Sequence, residues 1–91
     1  MTDELQQAVE RMHDCKAILV GTEEVSEIFE GKPAWEGEVH IFALDGHRTA
    51  DMAYAWSSPI EGSTKPRFFA VLHAPPVQSA ADAVRAAILA E

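Results

Sequence analysis

Between Trp35 and Trp56 hydrophobicity alternates residue by residue, and this constrains the fold more than any other feature of the chain. Successive side chains of a strand point to opposite faces. The alternation therefore puts Trp35, Val39, Ile41, Met52, Tyr54 and Trp56 on one side and Glu36, Glu38, His40 and Asp51 on the other. It predicts two antiparallel strands with one buried face, joined at Asp45-Gly46-His47-Arg48. A two-residue turn fits there either as Gly46-His47 in type II′ or as Asp45-Gly46 in type I′. The first register sets Gly37 opposite Trp56 and Val39 opposite Tyr54; the second sets Trp35 opposite Trp56 and His40 opposite Asp51. These registers differ by two residues, so the face assignment is common to both, and only a one-residue slip would exchange the faces.

Thr2 suits the cap of a first helix, with Asp3 and Glu4 in an opening turn where carboxylates complement the helix dipole. Leu5, Ala8, Val9 and Met12 recur at three- and four-residue steps and form one apolar stripe, and the helix is expected to end near His13 or Asp14. Ala17-Ile18-Leu19-Val20 then reads as a strand, which Gly21 breaks or bulges. Residues 25–30 resume in extended form, although Val25, Ile28 and Phe29 also fit a helical step. Gly31-Lys32-Pro33 signals a turn, and Pro59 to Pro66 a loop. Phe68-Phe69-Ala70-Val71-Leu72 carries apolar residues on both sides, as a strand does that is covered on both faces, or covered on one and lightly exposed on the other. Ser79 and Asp82 have the spacing of a capping box, with aspartate replacing the usual glutamate. The last helix turns Ala80, Val84, Ala87 and Ile88 inward and Asp82 and Arg85 outward.

The expected fold is a single α+β domain over 1–91: an antiparallel three- to four-stranded sheet with N- and C-terminal helices packed on one face, in α-β-β-β-α order. The Trp35/Val39/Ile41/Tyr54/Trp56 face is the only large apolar surface this reading offers, so both helices are expected to cover it.

That order resembles the double-stranded RNA-binding-domain topology. Those domains hold RNA with a basic cluster at the start of the last helix. The corresponding segment here, Ser79-Ala80-Ala81-Asp82-Ala83-Val84-Arg85, has one base and one acid, so the resemblance carries no RNA binding. A second resemblance is local. Gly46-His47 through Ala50 to Tyr54-Ala55-Trp56-Ser57, preceded by Trp35-Glu36-Gly37, looks like a segment of small bacterial α+β proteins of unassigned activity. It implies a fold and no mechanism.

Seven basic against fifteen acidic residues give a net charge of −8, which repels phosphate backbones and anionic headgroups. Neither a nucleic-acid nor a membrane partner is expected. The lone Cys15 requires no oxidising compartment, and the acidic start Met-Thr-Asp-Glu does not read as a leader, so the cytoplasm is the expected location.

Glu38, His40 and Asp51 are the candidate polar site. A carboxylate beside an imidazole suits general acid–base work or help in holding a metal, whereas a solvated sheet face with a favourable charge pair needs neither. His13 and Cys15 lack the further ligands a zinc site requires, and no metal or cofactor is expected. His47 is expected to serve its turn and His73 to be satisfied at a strand end. No serine sits in a nucleophile context, and the glycines form no phosphate cradle. The reading that remains is a small binding or protein-interaction module, with a protein partner or itself as a homodimer. Contact is expected through an open sheet face around Ala53, Ala55, Phe42 and Leu44, or through an edge strand. The alternative is a small enzyme or ligand-binding protein using His40, Asp51 and Glu38.

Overall fold

Two stripes of alternating parity run through residues 32–45 and 52–59, and a helix packs on each. The computed structural model describes residues 2–59, 62 and 66–90. The elements are α1 (Thr2–His13), β1 (Lys16–Phe29), β2 (Lys32–Asp45), β3 (Met52–Pro59), β4 (Pro66–Leu72) and α2 (Ala80–Ala90). The four strands form one antiparallel meander in the order β1-β2-β3-β4. The architecture is α+β with a helix at each end, and the sheet has four strands, the larger of the two numbers expected, so the order is α-β-β-β-β-α. The loop expected over 59–66 lies largely outside the described residues, as does the side chain of Thr2.

Residues 16–29 form one long strand. Leu19 pairs with Phe42 and Gly21 with Ile41, so Val20 is the extra residue of a bulge, one of the two outcomes expected at Gly21. Glu30 and Gly31 then turn the chain into β2 with φ values of 53° and 78°. Two successive positive φ angles make a type I′ turn, whose twist matches that of the paired strands.

The β2–β3 connection differs from both expected turns. His40 pairs with Ala55 and Ile41 with Tyr54, and residues 46–51 form a longer loop. The imidazole of His47 replaces a tight turn: its Nδ1 accepts hydrogen bonds from the N–H groups of Thr49 (3.2 Å) and Ala50 (3.1 Å). The observed register is two residues beyond the nearer of the expected ones, so parity is preserved. Val39, Tyr54 and Trp56 lie together on one face with Trp35 and Ile41 packed against them.

That face is covered by α2 alone. Val25, Val39, Tyr54 and Trp56 pack with Val77, Ala80, Ala83 and Val84. Ser79 caps the helix: its Oγ accepts from the Asp82 N–H at 3.1 Å, and the Asp82 carboxylate accepts from the Gln78 N–H at 3.2 Å. The expected capping box is present, with the acid reaching one residue further back. Trp35 lies across Gly37, where a Cβ would come within 2.8 Å of the indole ring. Glycine is what lets that ring lie flat against β2.

The helix α1 packs on the opposite face, which corrects the expectation that both helices share one. Leu5 and Val9 sit against Ala17, Phe42, Ala53 and Ala55, with Leu44, Phe68, Ala70 and Leu72 around them. The small side chains of Ala53 and Ala55 let the helix approach closely. Met12, expected in the apolar stripe, is exposed. The strip expected to be an open association face is therefore core. β4 is covered on both sides, Phe69 and Val71 by the α2 layer and Phe68, Ala70 and Leu72 by the α1 layer.

Candidate functional site

Glu38 and His40 come together, but Asp51 does not join them. His40 lies on the α1 side of β2, opposite Ala55. Asp51 precedes β3, four residues from Ala55, which corresponds to roughly 13 Å along an extended strand. It is exposed, and its backbone carbonyl accepts from the Leu44 N–H at 2.7 Å. The longer loop is the reason: each residue added to the turn moves Asp51 away from the middle of β2.

The imidazole is also more enclosed than a solvated face implies, at 9% exposure. Its Nε2 is 3.6 Å from Glu38 Oε1, too far for a good hydrogen bond, and its buried Nδ1 has no hydrogen-bond partner among the described residues. Glu38 itself is largely in water. A buried imidazole with one orphaned nitrogen and a distant, solvated carboxylate is poorly organised for proton transfer. It is better explained as a side chain caught at the border between the polar half of this face, Glu36 and Glu38, and its apolar half, Phe42 and Leu44. Leaving a buried polar atom unmade costs about 1–3 kcal/mol. We therefore expect His40→Leu, which keeps a similar volume, to raise stability by about 1 kcal/mol. The urea midpoint measures this; a loss of stability would show that the imidazole makes an interaction the geometry does not contain.

The other histidines are occupied by structure. His47 holds its loop as described. His73 Nδ1 lies 2.7 Å from the Tyr54 hydroxyl, with the rings edge to face at 5.7 Å. Burial pushes the Tyr54 phenol above its usual range, with the Glu23 and Asp82 charges acting in the same direction. His13 Nε2–H donates to the Ala70 carbonyl of β4 at 3.1 Å, and its ring meets that of His47 edge to face at 6.0 Å. Cys15 has its thiol pKa raised by desolvation first and then by Glu10, Asp14 and Asp45, which disfavours a reactive thiolate. Among the described residues no three His, Cys, Asp or Glu side chains are placed to hold a metal ion.

The surface that remains is an edge. Among the described residues β1 pairs only with β2, and Ile18, Leu19 and Val20 on it are 59%, 40% and 58% exposed. Ile18 pairs with Ala43 and Leu19 with Phe42, so their side chains leave the two faces of the sheet, beyond the cover of either helix. The edge is closed just before this run. Gln6 Nε2 donates to the Ala17 carbonyl at 2.7 Å, and the Ala17 N–H donates to Glu10 Oε2 at 3.0 Å. These side chains of α1 supply to Ala17 the donor and acceptor that another strand would. The run was legible as a strand in the sequence, but its position at an edge was not.

Among the described residues no helix is long and apolar enough to cross a membrane. No protein-family model, curated protein or solved structure matches the chain.

Proposed function

We propose that this chain is a small protein-interaction module whose contact surface is the free edge of β1. The carrying observation is the exposed Ile18-Leu19-Val20 run on a strand paired along one side only. Edge strands present a row of unused N–H and C=O groups, and folded proteins normally shorten, cover or charge them. Here α1 plugs the first position with Gln6 and Glu10 and leaves apolar residues uncovered directly after it. Recognition by strand addition takes affinity from main-chain hydrogen bonds and specificity from alternate side chains, and needs no pocket or cofactor. The reading based on Glu38, His40 and Asp51 as an enzymatic or ligand site has less support, because the three do not converge.

The test is a titration of the isotope-labelled protein with extended peptides of different charge, followed by backbone amide shifts and hydrogen exchange. Shifts and slowed exchange concentrated between Ile18 and Ser26 are the expected result. A β1 that responds to no peptide, in a chain that also stays monomeric in sedimentation at rising concentration, would overturn the proposal.

A further inference from the structure

The free edge of β1 has an internal order that restricts what can pair with it. Leu44 N–H donates to Asp51 O, so the even-numbered residues of β2 turn their backbone groups towards β3 and the odd-numbered ones towards β1. Thr22, Glu24 and Ser26 pair with His40, Glu38 and Glu36, and therefore direct their own N–H and C=O groups outward. The open ladder thus begins after the plugged Ala17 and continues through Ser26. Its side chains change along the way, from Ile18, Leu19 and Val20 to Glu23 and Glu24. On the α1 side Glu24 faces Glu38 and Ser26 faces Glu36, and these residues line a shallow groove of about 330 Å³ beside the edge. Glu27 is engaged by Arg85 at 2.8 Å, whereas Glu23 and Glu24 are exposed.

We infer that the occupant of this edge is an extended segment of another protein, with basic residues followed by apolar ones, added antiparallel to β1, and not a second copy of this chain. The inference rests on the edge reading above and names its partner. A second copy would bring Glu23 and Glu24 of both chains onto one ladder, and residues 17–29 contain no lysine, arginine or histidine to separate them. In registers centred on residues 23 and 24 these like charges stand directly opposite each other and destabilise the pair, and a register centred on Thr22 would set Glu24 against the bulged Val20, where the ladder is interrupted. Sliding the copy so that Lys16 faces a glutamate is blocked, because the backbone of Ala17 is already bonded to Gln6 and Glu10 and Val20 bulges. A basic-then-apolar segment meets neither obstacle. Running antiparallel, it sets its lysines or arginines beside Glu23 and Glu24 and its apolar residues beside Val20, Leu19 and Ile18.

The probe is an end-capped peptide in which two lysines and two threonines precede a valine-isoleucine-valine run, compared with the same peptide carrying glutamate in place of lysine. The lysine peptide is expected to bind about tenfold more tightly at low salt, as two exposed ion pairs replacing two repulsions allow. Its shifts are expected at Ile18 to Ser26, and the preference is expected to shrink as salt rises. The variant Thr22→Pro removes an outward N–H that β2 does not use. It is expected to keep the fold, read by circular dichroism, and to lose the peptide; should it unfold, Glu24→Lys serves instead and, leaving one acid and one base on the edge, is expected to abolish the preference between the peptides. Equal binding of both peptides, or a dimer whose interface protects the β1 amides, would overturn the basic-partner inference while leaving the edge reading intact. Failure of every peptide, with no dimer, would overturn both. Lysine-peptide shifts scattered over the acidic surface and unchanged in Thr22→Pro would also overturn the inference.

Discussion

Replacing Trp56 with alanine is expected to cost about 3–5 kcal/mol of folding stability, which is much of what a domain of this size has. The indole is 2% exposed and sits in the middle of an aromatic row. The Phe69 ring stacks on it at 5.2 Å and 10°, and Trp35 leans against it at 5.9 Å and 53°. The Arg67 guanidinium covers the Phe69 ring at 4.7 Å from its centre. Removing the central ring loses its own burial and also the contacts that position its neighbours. The remaining gap between β3 and α2 is lined by Val39 and Val84, branched side chains with few rotamers and little reach. Trp56→Phe keeps a ring in the row and is expected to cost less than half as much. Urea denaturation followed by circular dichroism measures both, and Trp35 fluorescence reports locally in each variant. A cost under about 1 kcal/mol for alanine would mean that the row is not the centre of the α2 layer.

The sheet was legible because strand periodicity is two and errors in turn length of two residues preserve it. Val39, Ile41, Tyr54 and Trp56 share a face under either expected turn and under the observed loop. The loop itself was not legible, since its closure depends on His47 accepting from Thr49 and Ala50, an interaction with no spacing signature. The length of this loop also sets Asp51 apart, so that of the three residues a tight turn would bring together only Glu38 and His40 are neighbours. The second helix layer is hidden in the sequence for a different reason. Along the α1 side of β2 the residues run Glu36, Glu38, His40, Phe42, Leu44, polar first and then apolar, and averaging over the strand makes the face look solvated. Ala53 and Ala55 reinforced that impression, because alanine signals little hydrophobicity yet marks the places where a helix comes closest.

Local chemistry was easier to read than layer assignment. The spacing of Ser79 and Asp82 predicted a cap, and the hydroxyl bonds the third helical N–H. His73 was expected to find a partner at its strand end and bonds Tyr54. The cap lies at the end of one element, where a few residues determine the geometry, whereas the partner of His73 sits on the neighbouring strand and is brought to it by the β3–β4 pairing. Which side of a sheet a terminal helix takes depends on two apolar surfaces competing for it, and that comparison is made over the whole molecule.

The layer assignment has its own expected result: Phe42→Ala should destabilise by about 3–5 kcal/mol, comparable to the loss at Trp56. Phe42 is fully buried on the face opposite the tryptophans, between α1 and the sheet, and its neighbours are Leu5, Val9 and the small Ala53 and Ala55. Alanines cannot rearrange to fill the space a phenyl ring leaves, so the site has little capacity to collapse. Were this face open to solvent, with both helices on the other side, the same substitution would change stability by no more than about 0.5 kcal/mol. A milder pair of changes then tests the separation of the layers. Phe42→Leu and Val84→Ala lie in different clusters on opposite faces and share no neighbours. Their costs should add to within about 0.5 kcal/mol in a double-mutant cycle measured by urea unfolding. A larger coupling would mean that α1 and α2 compete for one surface, and the three-layer arrangement would have to be abandoned.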